Sequence, residues 1–195
     1  MTQHLSFSAA LLVGGESKRM GKDKALLEFC GETLWQRQLS KLESLSIQTL
    51  YLSAKKVPSW ATDKYAVVLD KDDGKFDKGP IGGLCTLLET MDTSHLVLLA
   101  VDMPFMTADF LSGRMKRVTI GCGWVVQMDG FYQPMGAIYP QETLFYIKES
   151  LSSKDYSFQS LMKKMVQVEK MVVEVCRPEN RKFFANWNSP EQING

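Results

Sequence analysis

The run Leu96–Val101 (LVLLAV) is apolar at every position and ends on Asp102. It is too short to cross a bilayer core of about 30 Å, and being continuous rather than alternating it has the pattern of a central strand buried on both faces of a parallel sheet. Such a sheet needs helices on both sides. The flanking segments supply them. A strand at Phe7–Val13 leads into a glycine-rich polar loop reaching Lys24, then a helix spans about Thr33–Leu45, with Leu34, Gln38, Leu42 and Leu45 near helical spacing. Strands follow at Ile47–Ser53 and Tyr65–Leu69. Pro80 opens a helix whose apolar face is Ile81, Leu84, Leu88 and Met91, and Thr107 has the chemistry of an N-cap.

The second half is less regular. Strands at Trp124–Met128 and Met135–Tyr139 flank an Asp129-Gly130 turn and predict an antiparallel excursion at the sheet edge. Ser157 caps a helix carrying Phe158, Leu161, Met162 and Met165, and Val166–Val175 can add a strand. The expected fold is an α/β/α sandwich of three layers around a mostly parallel sheet. With 195 residues, no internal repeat and no linker, residues 1–195 are expected to form a single domain.

Lys and Arg number 23 against 22 Asp and Glu, a net charge of +1, so no bulk field draws the chain to nucleic acid or anionic lipid. Four cysteines lie far apart in sequence, which excludes a zinc ribbon or dithiol motif, and two histidines exclude a histidine-rich metal site. The N-terminus lacks the charged and apolar regions of a secretion signal, and a cytoplasmic protein is expected.

Four segments carry chemistry. LVGGESKRMGKDKALL (Leu12–Leu27) follows a buried strand, and Gly14, Gly15 and Gly21 permit backbone N–H groups to face an anion while Ser17, Lys18, Arg19, Lys22 and Lys24 add donors and charge. It reads as a phosphate cradle, or else as a basic surface loop; it matches neither the ATPase loop nor the dinucleotide fingerprint. Asp102 leaves the central strand on the same sheet edge, either as a Mg²⁺ ligand completed by substrate phosphates or as a turn residue. Asp70 follows the third strand, and Gly82-Gly83 allows close approach by a ligand or a neighbouring backbone. In NWNSPEQ (Asn186–Gln192), Ser189 and Pro190 are explained by a helix start, whereas Asn186 and Asn188 are not.

In order along nearly the whole chain, LVGGESKRMGKDKALL, DKGPIGGL, VDMPF, QPMGAIY and NWNSPE resemble the molybdenum cofactor guanylyltransferase family, the MobA-like proteins among Rossmann-like nucleotidyltransferases. The family's first pattern is near LAGGxSxRMGxDKxLL. The resemblance implies transfer of GMP from GTP to the terminal phosphate of molybdopterin or its molybdenum-loaded form, with release of pyrophosphate. It places Leu12, Val13, Gly14, Gly15, Lys24, Asp70 and Asp102 at the nucleotide, makes Arg19, Lys24 and Asp102 catalytic, puts Mg²⁺ (or Mn²⁺) on Asp102, and sets Asn186 and Asn188 near the pterin and reaction centre. Transient contacts with other molybdenum cofactor biosynthesis proteins and acceptor molybdoenzymes are implied, with no nucleic acid or membrane partner. The chain departs from the pattern after the second strand, where many relatives carry an asparagine assigned to the nucleotide and this chain reads Ser53-Ala54-Lys55-Lys56. A molybdopterin cytidylyltransferase, a sugar-phosphate nucleotidyltransferase and a non-catalytic nucleotide-binding homologue remain alternatives. The chemistry suits the composition, because a phosphate monoester with a second pKa near 6 is already mostly dianionic at neutral pH and needs no enzymic base. Exchanging Asp102 for asparagine is expected to leave stability unchanged or to raise it, by relief of local repulsion.

Overall fold

The structure is a computed structural model that describes residues 4–13, 23–70 and 79–187. Strand β1 (Phe7–Leu12) is followed, after a 3-10 turn at Lys24–Leu26, by the short hairpin β2 (Glu28–Phe29) and β3 (Glu32–Thr33) and by helix α1 (Leu34–Glu43). Then come β4 (Leu50–Ala54), β5 (Ala66–Leu69), α2 (Gly79–Thr90), β6 (His95–Ala100) and α3 (Ala108–Met115). The second half contributes β7 (Gly123–Met128), β8 (Phe131–Pro140), α4 (Thr143–Ser152), α5 (Phe158–Gln167), β9 (Met171–Val175) and a 3-10 segment at Pro178–Phe184.

Seven strands form one sheet in the order β5-β4-β1-β6-β8-β7-β9. All neighbours are parallel except β8, which runs antiparallel to β6 and β7. Side chains on the two faces separate into two cores. Ala9, Leu11, Val97 and Leu99 pack with Leu39 and Leu42 of α1 and with Phe110 and Leu111 of α3. Ala10, Leu12, Leu96 and Leu98 pack with Leu84 and Leu88 of α2, Ile147 of α4 and Leu161 of α5. Consecutive β6 residues thus alternate between two buried faces, which is why the sequence run is unbroken.

Local chemistry explains the boundaries. Thr107 accepts the Phe110 amide at 3.2 Å and Ser157 the Ser160 amide at 3.3 Å, so both expected caps are present. Asp129 and Gly130 take φ of 51° and 82°, the paired left-handed conformations of a tight hairpin turn. The hairpin is not, however, at the sheet edge. Trp124, Val125 and Val126 are each at most 1% exposed, as an interior strand requires, and β9 takes the outer position with Val175 74% exposed. The expected strand at Val166–Val175 is confined to Met171–Val175, because Val166 and Gln167 belong to the last turn of α5. The cap expected at Ser189 and Pro190 lies outside the described residues.

Candidate active site

From β1 the chain builds outward to β4 and β5, then returns through α2 to β6 on the other side of β1. The strand order therefore reverses between β1 and β6, and in doubly wound sheets the crevice beyond the carboxyl ends of such strands takes the ligand. Leu12 pairs with Ala100 across this boundary. The Val101 amide donates to the Leu12 carbonyl at 3.1 Å, and the Val13 amide to the Ser53 carbonyl at 3.0 Å. Leu12 and Val13 bury their side chains in opposite cores, which leaves the backbone as their means of contacting a ligand.

Asp102 emerges two residues beyond Ala100, the last β6 residue paired with β1. Its Oδ2 lies 3.3 Å from Nζ of Lys24, a residue 78 positions away in sequence, with the two side chains 22% and 20% exposed. Lys24 is braced on both sides. Asp23 accepts the Ala25 amide through Oδ1 at 3.0 Å and the Trp60 indole N–H through Oδ2 at 3.2 Å, while Trp60 stacks on Trp35 at 4.6 Å and Ala25 is fully buried.

The C-terminal segment reaches the same place. Arg181 pairs with Asp129, Phe184 packs on Phe110, and the Trp187 amide donates to the Asp102 carbonyl at 2.7 Å. Trp187 is 1% exposed and meets Phe29 edge to face at 5.4 Å, whereas its neighbour Asn186 is exposed. Lys24, Asp102 and the Asn186 backbone are therefore brought together.

Asp70 stands apart. It directly follows β5, three strand spacings from β6, or about 14 Å along the sheet. Its amide donates to the Ala54 carbonyl at 3.0 Å and its Oδ1 accepts the Ser53 hydroxyl at 3.2 Å. The close approach expected at the paired glycines is made by these side chains: a Cβ on Gly83 would lie 2.8 Å from Asp70 Oδ1 and 2.9 Å from Ser53 Oγ. Gly14, Gly15, Arg19 and Asn188 lie outside the described residues.

Among the described residues no three His, Cys, Asp or Glu side chains gather where they could hold a metal. One carboxylate beside a lysine does not make a protein cage, but it fits Mg²⁺, which keeps several waters and is held by one or two carboxylates plus substrate phosphates. No helix among the described residues is long and apolar enough to cross a membrane.

Sequence patterns alone assign no functional role to Asp23, Trp60, Trp187 or Gln38. Only Gln38 carried a signal, being a polar residue within the apolar stripe of α1.

A doubly wound sheet with a lysine and an aspartate paired at its switch point is the architecture of Rossmann-like α/β enzymes. A model of the MobA-like NTP transferase domain matches residues 9–170. The probable molybdenum cofactor guanylyltransferase of Opitutus terrae is 32% identical over 189 residues, covering 95% of this chain and 92% of that protein. That of Methanosarcina acetivorans is 30% identical over 203 residues, covering 96% and 88%. The crystal structure of molybdopterin-guanine dinucleotide biosynthesis protein A from Archaeoglobus fulgidus shares the fold, with a TM-score of 0.72 at 19% identity over 95% of this chain and 94% of that one. The chain belongs to the MobA-like NTP transferase family.

Proposed function

We propose that this nucleotidyltransferase, acting as one domain over residues 1–195, moves GMP from GTP to the terminal phosphate of molybdopterin or Mo-molybdopterin. An oxygen of the acceptor phosphate forms the new bond to the α-phosphorus, the bond to the bridging oxygen of the β-phosphate breaks, and pyrophosphate leaves. The observation that carries this reading is the 3.3 Å pair of Lys24 and Asp102 at the β1/β6 switch point.

Roles follow from position. Lys24 exchanges its contact with Asp102 for phosphate oxygens, joined by Arg19 and by the backbone of Leu12, Val13, Gly14 and Gly15. Asp102 is the ligand for Mg²⁺, with Mn²⁺ as a substitute; the bound ion would neutralise charge on the triphosphate. Asp70, far along the sheet from Asp102, serves the nucleoside side of GTP. Asn186, carried next to Asp102 by the Trp187 amide, serves the acceptor phosphate together with Asn188. Nothing here requires a general base. What is required is in-line positioning and charge neutralisation. The setting is the cytoplasm, with handover to other molybdenum cofactor proteins.

The test is pyrophosphate release with purified molybdopterin and each nucleoside triphosphate in turn. GTP should be the preferred donor. Equal or faster turnover with CTP would transfer the chain to the cytidylyltransferase alternative, for which the exposed Lys55 in place of an asparagine is the one sequence argument.

A further inference from the structure

Helix α1 faces the core with Leu34, Gln38, Leu39 and Leu42. Gln38 is fully buried, and a buried carboxamide must find partners. Its Nε2 donates to the Ala100 carbonyl at 3.1 Å and to the Met103 carbonyl at 2.7 Å, and its Oε1 accepts Nζ of Lys41 at 2.6 Å.

Ala100 and Met103 are the two ends of the turn that carries Asp102. That turn is closed by the Met103 amide donating to the Ala100 carbonyl at 3.3 Å. One side chain therefore grips both ends of the turn from below. Lys41 extends the grip to the Pro104 carbonyl at 2.7 Å, which also accepts Nε of Arg37 at 3.3 Å. From the other side, the Trp187 amide holds the Asp102 carbonyl itself. An apolar residue would fill the space beneath the turn as Leu34 and Leu42 do beside it, but it could not fix the direction of two carbonyl groups and so the direction of Asp102.

We propose that Gln38 is a positioning residue of the transfer reaction, a clamp that sets the orientation of the Asp102 carboxylate against Lys24 and the nucleotide. Its kinetic consequence rests on the GMP-transfer reading above; the clamp itself does not.

Two variants and two readouts test it. Gln38→Met keeps similar volume without donors, and Gln38→Glu keeps the acceptor for Lys41 while giving up the donors to Ala100 and Met103. Amide hydrogen exchange should quicken in residues 101–104 of both variants while β1 and β6 exchange as in the parent chain. In GMP transfer, kcat should fall about 10- to 100-fold, the cost of misplacing a reacting group by about an ångström, with a smaller change in KM for GTP. Unchanged kcat and loop exchange would overturn the clamp. So would a loss of rate that merely tracks faster exchange throughout the sheet, or full activity in Gln38→Glu beside an impaired Gln38→Met. If the parent chain itself transfers no GMP, the functional reading fails, and hydrogen exchange alone decides the clamp.

Discussion

Lys24 and Asp102 are each positioned by backbone rather than by one another. Asp102 leaves the end of β6, and Lys24 is fixed between the Asp23 cap and buried Ala25. Their ion pair is partly exposed, and such pairs contribute about 0–1 kcal/mol. The expectation that Asp102→Asn leaves stability unchanged or raises it rests on local repulsion; the carboxylate has a cation 3.3 Å away, so of those two outcomes the small change is favoured, with the melting temperature unchanged or slightly lower. GMP transfer by Asp102→Asn should fall steeply and need more Mg²⁺, because a hard cation prefers the carboxylate. Kinetics at several Mg²⁺ concentrations check this, and full activity at limiting Mg²⁺ would make Asp102 a turn residue. Lys24→Ala should lose about 10²- to 10³-fold in kcat, the range for a positioned donor, while remaining folded by circular dichroism. An unchanged rate would return the basic loop to a surface role.

The elements show what a sequence reveals and what it hides. Strands β1 and β6 were readable because burial on both faces leaves the runs Ala9–Leu12 and Leu96–Ala100 without a polar residue, and the caps at Thr107 and Ser157 because capping is local chemistry. Helix α4 was missed. It buries only Thr143 and Ile147 and leaves Phe145 66% exposed, so its apolar periodicity is faint. The start of β8 was hidden by Gln133 and Pro134, and the interior place of the β7/β8 hairpin depends on β9 pairing with β7 from far along the chain, Gly123 opposite Met171, which no local pattern encodes. Helix α2 exposes a different limit. Its paired glycines forecast close approach by a ligand or a neighbouring backbone, whereas the neighbours of Gly83 are side-chain atoms, the Asp70 carboxylate and the Ser53 hydroxyl. Gly83→Ala should therefore push the Asp70 side chain aside and raise KM for GTP several-fold with little change in melting temperature, since a carboxylate can swing away. A steep loss of stability with unaltered KM would mean that Gly83 serves packing alone.

Across the whole molecule the two sheet edges have different tasks. The carboxyl edge of β1 and β6 gathers Lys24, Asp102 and the Asn186 segment. The opposite edge is tied by His95, fully buried, with Nδ1 3.0 Å from the Ser94 hydroxyl and Nε2 3.3 Å from the Cys122 carbonyl. Burial holds its imidazole below the usual 6.5. As pH falls through that value the unfolded chain takes up a proton before the folded one, so stability is present above about 6.5 and is lost progressively on acidification. Lys41, pushed down to about 7 by burial and then by Arg37, acts above that window. Urea unfolding should show a midpoint that declines as pH falls below about 6.5, and His95→Gln should flatten the decline; an equally steep decline in the variant would assign the acid sensitivity elsewhere.

The convergence of the Lys24 loop, Asp102 and the Asn186 segment at one switch point has a single most direct chemical test. Supplied with molybdopterin and GTP labelled in parallel at the α- or the γ-phosphorus, the chain should place the α-label, and none of the γ-label, in a pterin guanine dinucleotide, while all of the γ-label appears in pyrophosphate. Label retained in free nucleotide whatever acceptor is present, or γ-label found on the pterin, would contradict nucleotidyl transfer at this site.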